Sequence, residues 1–483
     1  MAHAVRRRTK IIATLGPACD TDDQLQTLFE KGVDLVRLNF SHGTPESHIA
    51  RVHQVRKISE KIGKKVGIIA DLQGPKIRIQ GFEQGSVALV PGQAFALDLR
   101  LGKQAGTVSG VGLDFPPLVE QVYPGDELWL EDGKIRLQVE QVEAQVVQCT
   151  VLQGGTLGSF KGLNRKGGGL AAPAFTPKDQ QDLAAIATVG VDYIALSFVG
   201  SAQDVIGLRK ALEQLECTAK IISKIERRES IALLRSIVEV SDAVMVARGD
   251  LGVELGFANL PGAQKRIIQM ARKHDKAAIV ATQMMESMIT QPIPTRAEVS
   301  DVANAVLDGT DAVMLSAESA TGAYPSQTVA ALHDICLAAE SSIVSDGGIP
   351  AKARCQRWDE AIALATMFTA HHVNIQAILA LTESGATPLW MSRVDSHIPI
   401  FGLSPHEHTC GRMTLYRGVY PMKFAINQHT AFEVVREAIR FLVKQGALKM
   451  QDKVIVTKGD ILGTFGGTNG MKIVTVTQQE HGV

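Results

Sequence analysis

AKIISKIE (219–226) and DAVMVARGDLG (242–252) each carry a short, almost unbroken apolar run that ends in charged residues. Such a run, without polar alternation, reads as a strand buried on both faces. The same pattern recurs along the chain, in KIIATL (10–15), VDLVRL (33–38), VGIIAD (66–71), VDYIAL (191–196), AKIISK (219–224), DAVMVA (242–247), KAAIVA (276–281) and DAVMLS (311–316). Between most of these runs lies one amphipathic stretch of helical length. Eight apolar strands alternating with helices predict an α/β fold, a parallel (β/α)8 TIM barrel covered by helices.

Functional side chains of such a barrel gather where the strands end. Every run but the first leads directly into polar residues: Arg37 and Asn39, Asp71, Ser197, Lys224 and Glu226, Asp250, Thr282, and Ser316 and Glu318. Lys224 and Glu226 are two apart on a strand and point the same way, and Asp250 arrives beside them from the next strand. Two hard carboxylate ligands beside a compact ammonium suit Mg2+ and a phosphoryl or carboxylate group. A lone K-x-E would be better read as a surface ion pair; the repeated strand ends overturn that reading here.

The rest of the chain sets limits. Its 483 residues allow about three domains at ~150 residues each. A formal net charge of zero gives no reason to expect nucleic acid or an acidic membrane as partner. Six scattered cysteines with no C-x-x-C spacing read as free thiols in a reducing cytoplasm. The basic start MAHAVRRRTK is followed by an apolar run too short for a signal peptide, and no run approaches the ~20 residues of a membrane span. The barrel, expected over 1–73 and 171–345, is interrupted at 74–170 by residues rich in Val, Leu, Gln and Gly, with period-two alternation around Asp132-Gly133. An inserted all-β lid is predicted there, leaving through a Gly- and Pro-rich hinge at 164–177. After a linker at 345–359, residues 346–483 form a further α/β domain with strand-like runs at 377–382, 398–403, 419–424, 453–458 and 471–476. Gly/Ser/Thr loops at 382–387 and 457–470 could offer N–H groups to an anion, although each alone reads as a plain turn.

The segments TKIIATLGPA (9–18), VRLNFSHG (36–43), DLQGPKIR (71–78), ISKIE (222–226), VARGDLGVE (246–254), ATQMMESM (281–288) and PTRAEVSDVANAVLDGTDAVMLSAE (294–318), with the inserted β domain, resemble pyruvate kinase in order and spacing from about residue 8 to the carboxyl end. The resemblance implies transfer of the phosphoryl group of phosphoenolpyruvate to ADP, and a homotetramer. It implies that Glu226 and Asp250 hold Mg2+ or Mn2+, that Lys224 stabilises the transition state and emerging enolate, and that Arg37 binds the phosphoryl oxygens. The backbone of Ala247, Arg248, Gly249 and Asp250 is expected to receive the substrate carboxylate, and Thr282 to deliver a proton through water. A plain barrel hydroxyl bonded to its own backbone is the alternative for Thr282. Asn39, His42, Arg78 and Lys161 match nucleotide positions, with Lys161 arriving on lid closure; His42 is read as binding rather than as a general base.

Two further expectations come from the resemblance. Family members that need K+ hold it with residues matching Asn39, Ser41, Asp71 and the Leu72 carbonyl, and typically carry glutamate where this chain has Lys76. An ammonium beside Asp71 predicts that K+ is not required. The family's sugar-phosphate effector loop aligns with Thr382, Glu383, Ser384, Gly385, Ala386 and Thr387, with a second loop near 463–469. Ala386 stands where many members have Lys or Arg, so a sugar monophosphate is the expected effector. His371 and His372 are adjacent and cannot form an i, i+4 metal pair; MMESM (284–288) reads as core and subunit contact. A Mg2+-dependent lyase or aldolase would lack the nucleotide residues, and a catalytically silent sensor would lack Lys224, an acidic ligand or Arg37.

Overall fold

A computed structural model describes residues 6–170, 172–343, 355–425, 431–461, 463–464 and 466–477. Most of the expected linker at 345–359 lies outside the described residues. Eight parallel strands close into a barrel: β1 (Lys10–Thr14), β2 (Leu35–Asn39), β3 (Gly67–Asp71), β4 (Tyr193–Leu196), β5 (Lys220–Ile225), β6 (Ala243–Ala247), β7 (Ala277–Ala281) and β8 (Ala312–Leu315), with β8 pairing back to β1. Alternation along each strand divides two cores. Ile11, Ala13, Val36, Ile68 and Ile221 face outward into the helix layer. Ile12, Leu35, Ile69, Ile222, Met245, Ile279 and Met314 face the lumen and pack end to end. Threonine caps at Thr21, Thr44, Thr176 and Thr295 each accept the N–H three residues on, which fixes where the following helices begin.

The insertion between β3 and β4 has its own core, built around Phe95, Leu128, Leu137 and Leu157. A six-stranded sheet runs from Ala94–Asp98 to Leu163–Arg165 in sequence, and Ser86–Leu89 pairs with Gly155–Gly158 beside it. The turn read at Asp132-Gly133 is a single 3-10 turn, with Gly133 at φ 89° and Leu130 paired to Ile135 across it. The lid touches the barrel mouth through Trp129, stacked on Phe257 with centroids 6.4 Å apart. Its exit carries three consecutive glycines, Gly167, Gly168 and Gly169, at φ 84–92°, a run that residues with a Cβ adopt only under strain.

The C-terminal sheet has strands β9 (Ala377–Leu381), β10 (Ile400–Ser404), β11 (Val419–Lys423), β12 (Lys453–Gly459) and β13 (Thr468–Thr475) in the order β11-β10-β9-β12-β13, with β13 antiparallel to β12. It seals the barrel at the end where the strands begin. Tyr193 Oη donates to the Arg412 carbonyl at 2.7 Å, Lys10 Nζ donates to the Val419 carbonyl at 2.5 Å, and the lumen cluster continues into Met367, Met391, Met413 and Tyr416. Burial pushes the Lys10 ammonium down to about 8, against the pull of Asp34. The opposite, open end is the one under the lid.

Candidate active site

The C-terminal strand ends and the lid entrance line a cavity of about 170 Å3 that brings together Arg37, Asn39, Ser41, His42, Asp71, Leu72, Lys76, Arg78, Lys224, Glu226, Ala247, Asp250 and Thr282. β2 supplies Arg37 and Asn39, β3 Asp71, β5 Lys224 with Glu226 just beyond it, and the helix Arg248–Leu255 after β6 supplies Asp250.

Lys224 is the hub. Its Nζ lies 2.7 Å from Ser197 Oγ, 3.1 Å from Glu226 Oε1 and 3.4 Å from Asp71 Oδ1. Burial alone would strip its proton, but Asp71 and Glu226 outweigh that and raise its pKa, so the side chain is an ammonium. Asp71 is buried too; burial favours its neutral form, yet Lys224 and Arg37 hold its carboxyl below the usual range. Arg37 donates through Nε to Asp71 Oδ2 at 2.6 Å and through a terminal nitrogen to Thr14 Oγ1 at 3.2 Å.

Glu226 and Asp250 fit a divalent cation. Burial pushes the Glu226 carboxyl up, and the charge of nearby Asp250 adds to the rise against Lys224. Two mutually repelling carboxylates gain from a cation shared between them. Among the described residues no group of three or more His, Cys, Asp or Glu could hold a metal. A cation shared by this pair would draw its remaining ligands from substrate or water.

Several expectations change at atomic detail. Lys76 Nζ contacts Asp250 Oδ1 at 3.0 Å rather than Asp71, whose charge is answered by Arg37 and Lys224. The Gly249 N–H, expected to face substrate, donates to Thr282 Oγ1 at 2.9 Å, and that hydroxyl donates to the Ala281 carbonyl at 2.6 Å. Thr282 thus makes the backbone bond that was its plainer reading, yet it does so at φ 68°, an unfavourable region for a β-branched residue. Arg248 explains how that is sustained. Its guanidinium turns away from the cavity, pairs with Asp301 at 2.7 Å and donates to the Thr282 carbonyl at 2.6 Å. Lys161 does not line the cavity; it pairs with Glu131 within the lid at 3.2 Å. Arg78 lines the cavity and donates to the Phe160 carbonyl at 3.1 Å.

The family models for "Pyruvate kinase, barrel domain" and "Pyruvate kinase, alpha/beta domain" match residues 6–329 and 360–474. The chain belongs to the pyruvate kinase family. It is 48% identical over 477 residues to "Pyruvate kinase II" of Salmonella typhimurium, covering 97% of this chain and 99% of that one. "Pyruvate kinase" of Haemophilus influenzae is 46% identical over 458 residues, covering 94% and 96%. "Pyruvate kinase" of Geobacillus stearothermophilus is 37% identical, covering 98% of this chain and 81% of that one. Membership of the family makes this chain a phosphotransferase.

The second candidate site lies in the C-terminal domain. Thr382, Glu383, Ser384, Ala386 and Thr387 share a small cavity with Lys458, Gly463, Gly466 and Thr468 of the facing loop. Its donors are partly spoken for: Gly385 N–H bonds Thr382 Oγ1 at 2.9 Å, and the buried Thr387 hydroxyl meets Thr468 Oγ1 at 2.9 Å. Lys458 lines the cavity, and Arg357, paired with Asp359 at 2.8 Å, stands against Gly466. Sequence reasoning named neither cation: Lys458 lies within the 457–470 loop, which was read for its N–H groups, and Arg357 within the stretch read as a linker.

Proposed function

We propose that this chain transfers the phosphoryl group of phosphoenolpyruvate to ADP, giving pyruvate and ATP in glycolysis. The observation that carries the reading is the charged Lys224, set between Glu226 and Asp71 on the wall of a cavity that Arg37 and Asp250 share. Phosphoryl transfer needs charge neutralisation and alignment more than covalent help. Arg37 orients the phosphoryl oxygens, and Lys224 answers the negative charge that grows on the enol oxygen as the P–O bond breaks. Glu226 and Asp250 would hold a divalent ion, Mg2+ or Mn2+, which would supply charge neutralisation to the anionic substrate. The N-terminal turn at Ala247–Asp250, whose Gly249 N–H is taken by Thr282, faces the substrate carboxylate, while Thr282 lies on the face where the enolate gains its proton. Asn39, His42 and Arg78 flank the nucleotide, with Lys161 added as the lid closes.

K+ is not required in this reading. Of the four matching positions, Asn39 Oδ1 accepts from Ser41 N–H at 3.2 Å, the Leu72 carbonyl accepts from Ser197 Oγ at 2.8 Å, and Asp71 is paired with Arg37 and Lys224. Protein cations thus balance the carboxylates of the site. Regulation by a sugar monophosphate at the C-terminal loops, a homotetrameric assembly and a cytoplasmic setting complete the proposal; among the described residues no helix is long and apolar enough to cross a membrane. The test is a coupled assay for ADP-dependent formation of pyruvate from phosphoenolpyruvate. Turnover without ADP, or none with it, would reject the reading.

A further inference from the structure

Ser197 follows directly after β4, and the chain turns sharply there. Phe198 sits at φ 55°, which is unfavourable for a bulky residue, and is held by its N–H donating to Glu226 Oε2 at 2.7 Å. The turn leaves Ser197 almost wholly buried, 1% exposed, with Oγ 2.7 Å from Lys224 Nζ and 2.8 Å from the Leu72 carbonyl. Asp71 Oδ1 is farther, at 3.5 Å. A hydroxyl has one proton and two lone pairs. With the proton on the Leu72 carbonyl, the lone pairs of Ser197 face the ammonium. Gly74 closes the other side: a Cβ there would come within 2.7 Å of Ser197 Cβ.

We propose that Ser197 is a positioning residue for phosphoryl transfer, fixing the Lys224 ammonium at the cavity wall through its hydroxyl. The ammonium has three N–H groups and, among the described residues, three oxygens around it, of which Ser197 Oγ is the nearest and the only uncharged one. Without that oxygen, two carboxylates alone would govern Lys224 and draw it off the line to the substrate's enol oxygen. The Ser197–Phe198 turn thereby sets both the cation and, through the Phe198 N–H, the carboxylate of Glu226. The proposal rests on the assignment of Lys224 given above.

Three variants test it, each compared with the parent. Ser197→Ala is expected to lower kcat by about 10- to 100-fold, the scale of a small misplacement of a reacting group, with KM for ADP unchanged. Solvent exchange of the methyl protons of pyruvate, followed by NMR in D2O, should slow in parallel, since it needs the same enolate stabilisation. Ser197→Thr and Ser197→Val share one shape and differ in the hydroxyl, so crowding beside Gly74 cancels between them. The threonine variant should exceed the valine variant at least tenfold in kcat. Equal loss in both, or an alanine variant within twofold of the parent in kcat, overturns the proposal. Absence of phosphoryl transfer in the parent would instead overturn the functional reading on which it rests.

Discussion

Lys224 shows how a single side chain can be both buried and charged: each carboxylate that keeps it protonated is itself held by a second cation or N–H. Lys224→Met keeps the stem and removes the charge. Its kcat is expected to fall by about 10^2- to 10^3-fold, as for loss of one preorganised electrostatic group, while circular dichroism stays that of the parent. Activity within a factor of two would refute the role. A second expectation concerns monovalent ions. With Asp71 paired to Arg37 and Lys224, and Asp250 to Lys76, turnover should be unchanged when K+ is withdrawn from buffer free of alkali metals and ammonium. Strong stimulation on adding K+ back would show this to be wrong. The identity of the charged residues was legible in the sequence because each ends an apolar strand. Who pairs with whom was not: Lys76 reaches Asp250 across 174 positions, a relation that depends on how the lid strand leaves the barrel.

Among the elements, the helix Arg248–Leu255 joins chemistry to hinge. Its first turn presents Asp250 to the cavity, and its last presents Glu254 to the lid exit, where a Cβ on Gly168 would lie 2.5 Å from Glu254 Oε2. Burial pushes the Glu254 carboxyl up to about 7; Glu229 and Asp250 add to the rise, and the Arg228 N–H and Arg227 oppose it. A carboxyl whose folded pKa is raised contributes stability that is complete below its unfolded value and is lost as pH climbs through the folded one. Glu254→Gln should therefore raise the melting temperature relative to the parent above pH 7, with the difference shrinking toward pH 4.5 in scanning calorimetry. A pH-independent difference would exclude this origin. The strands and the glycine-rich exit could be read from composition and period. The carboxylate's displacement could not, because it arises from a helix and a loop that meet only in the folded chain.

Across the whole molecule, the C-terminal domain is both the floor of the barrel and the holder of the second cavity. If that cavity takes one phosphate, the activator should be a sugar monophosphate such as glucose 6-phosphate or ribose 5-phosphate in preference to fructose 1,6-bisphosphate. It can activate only by favouring the active arrangement, and so should lower the apparent requirement for phosphoenolpyruvate. Thr387→Glu would set a negative charge there but also break the buried bond to Thr468; Ser384→Glu is the cleaner variant and should abolish the response at unchanged basal turnover. The strongest activation by the bisphosphate would contradict this. The seam between the domains is tight. Gly411, in the helix Glu407–Met413, lies so close to the barrel that a Cβ would fall 1.7 Å from Asp192 Oδ1, while Asp192 itself holds the Ile68 N–H at 2.8 Å. Gly411→Ala is expected to destabilise by about 1–3 kcal/mol or more in urea unfolding, and an unchanged midpoint would show that the seam yields. Three domains could be counted from the sequence, yet not this difference in how they are joined: the lid core is self-contained, whereas Met245, Ile279 and Met314 of the lumen share one packed column with Met367, Met391 and Met413. Modularity in this chain is therefore lopsided. A designer could graft a different cap onto the mouth, but excising the C-terminal domain would uncork the vessel from below and flood the hydrocarbon that props up its reacting groups.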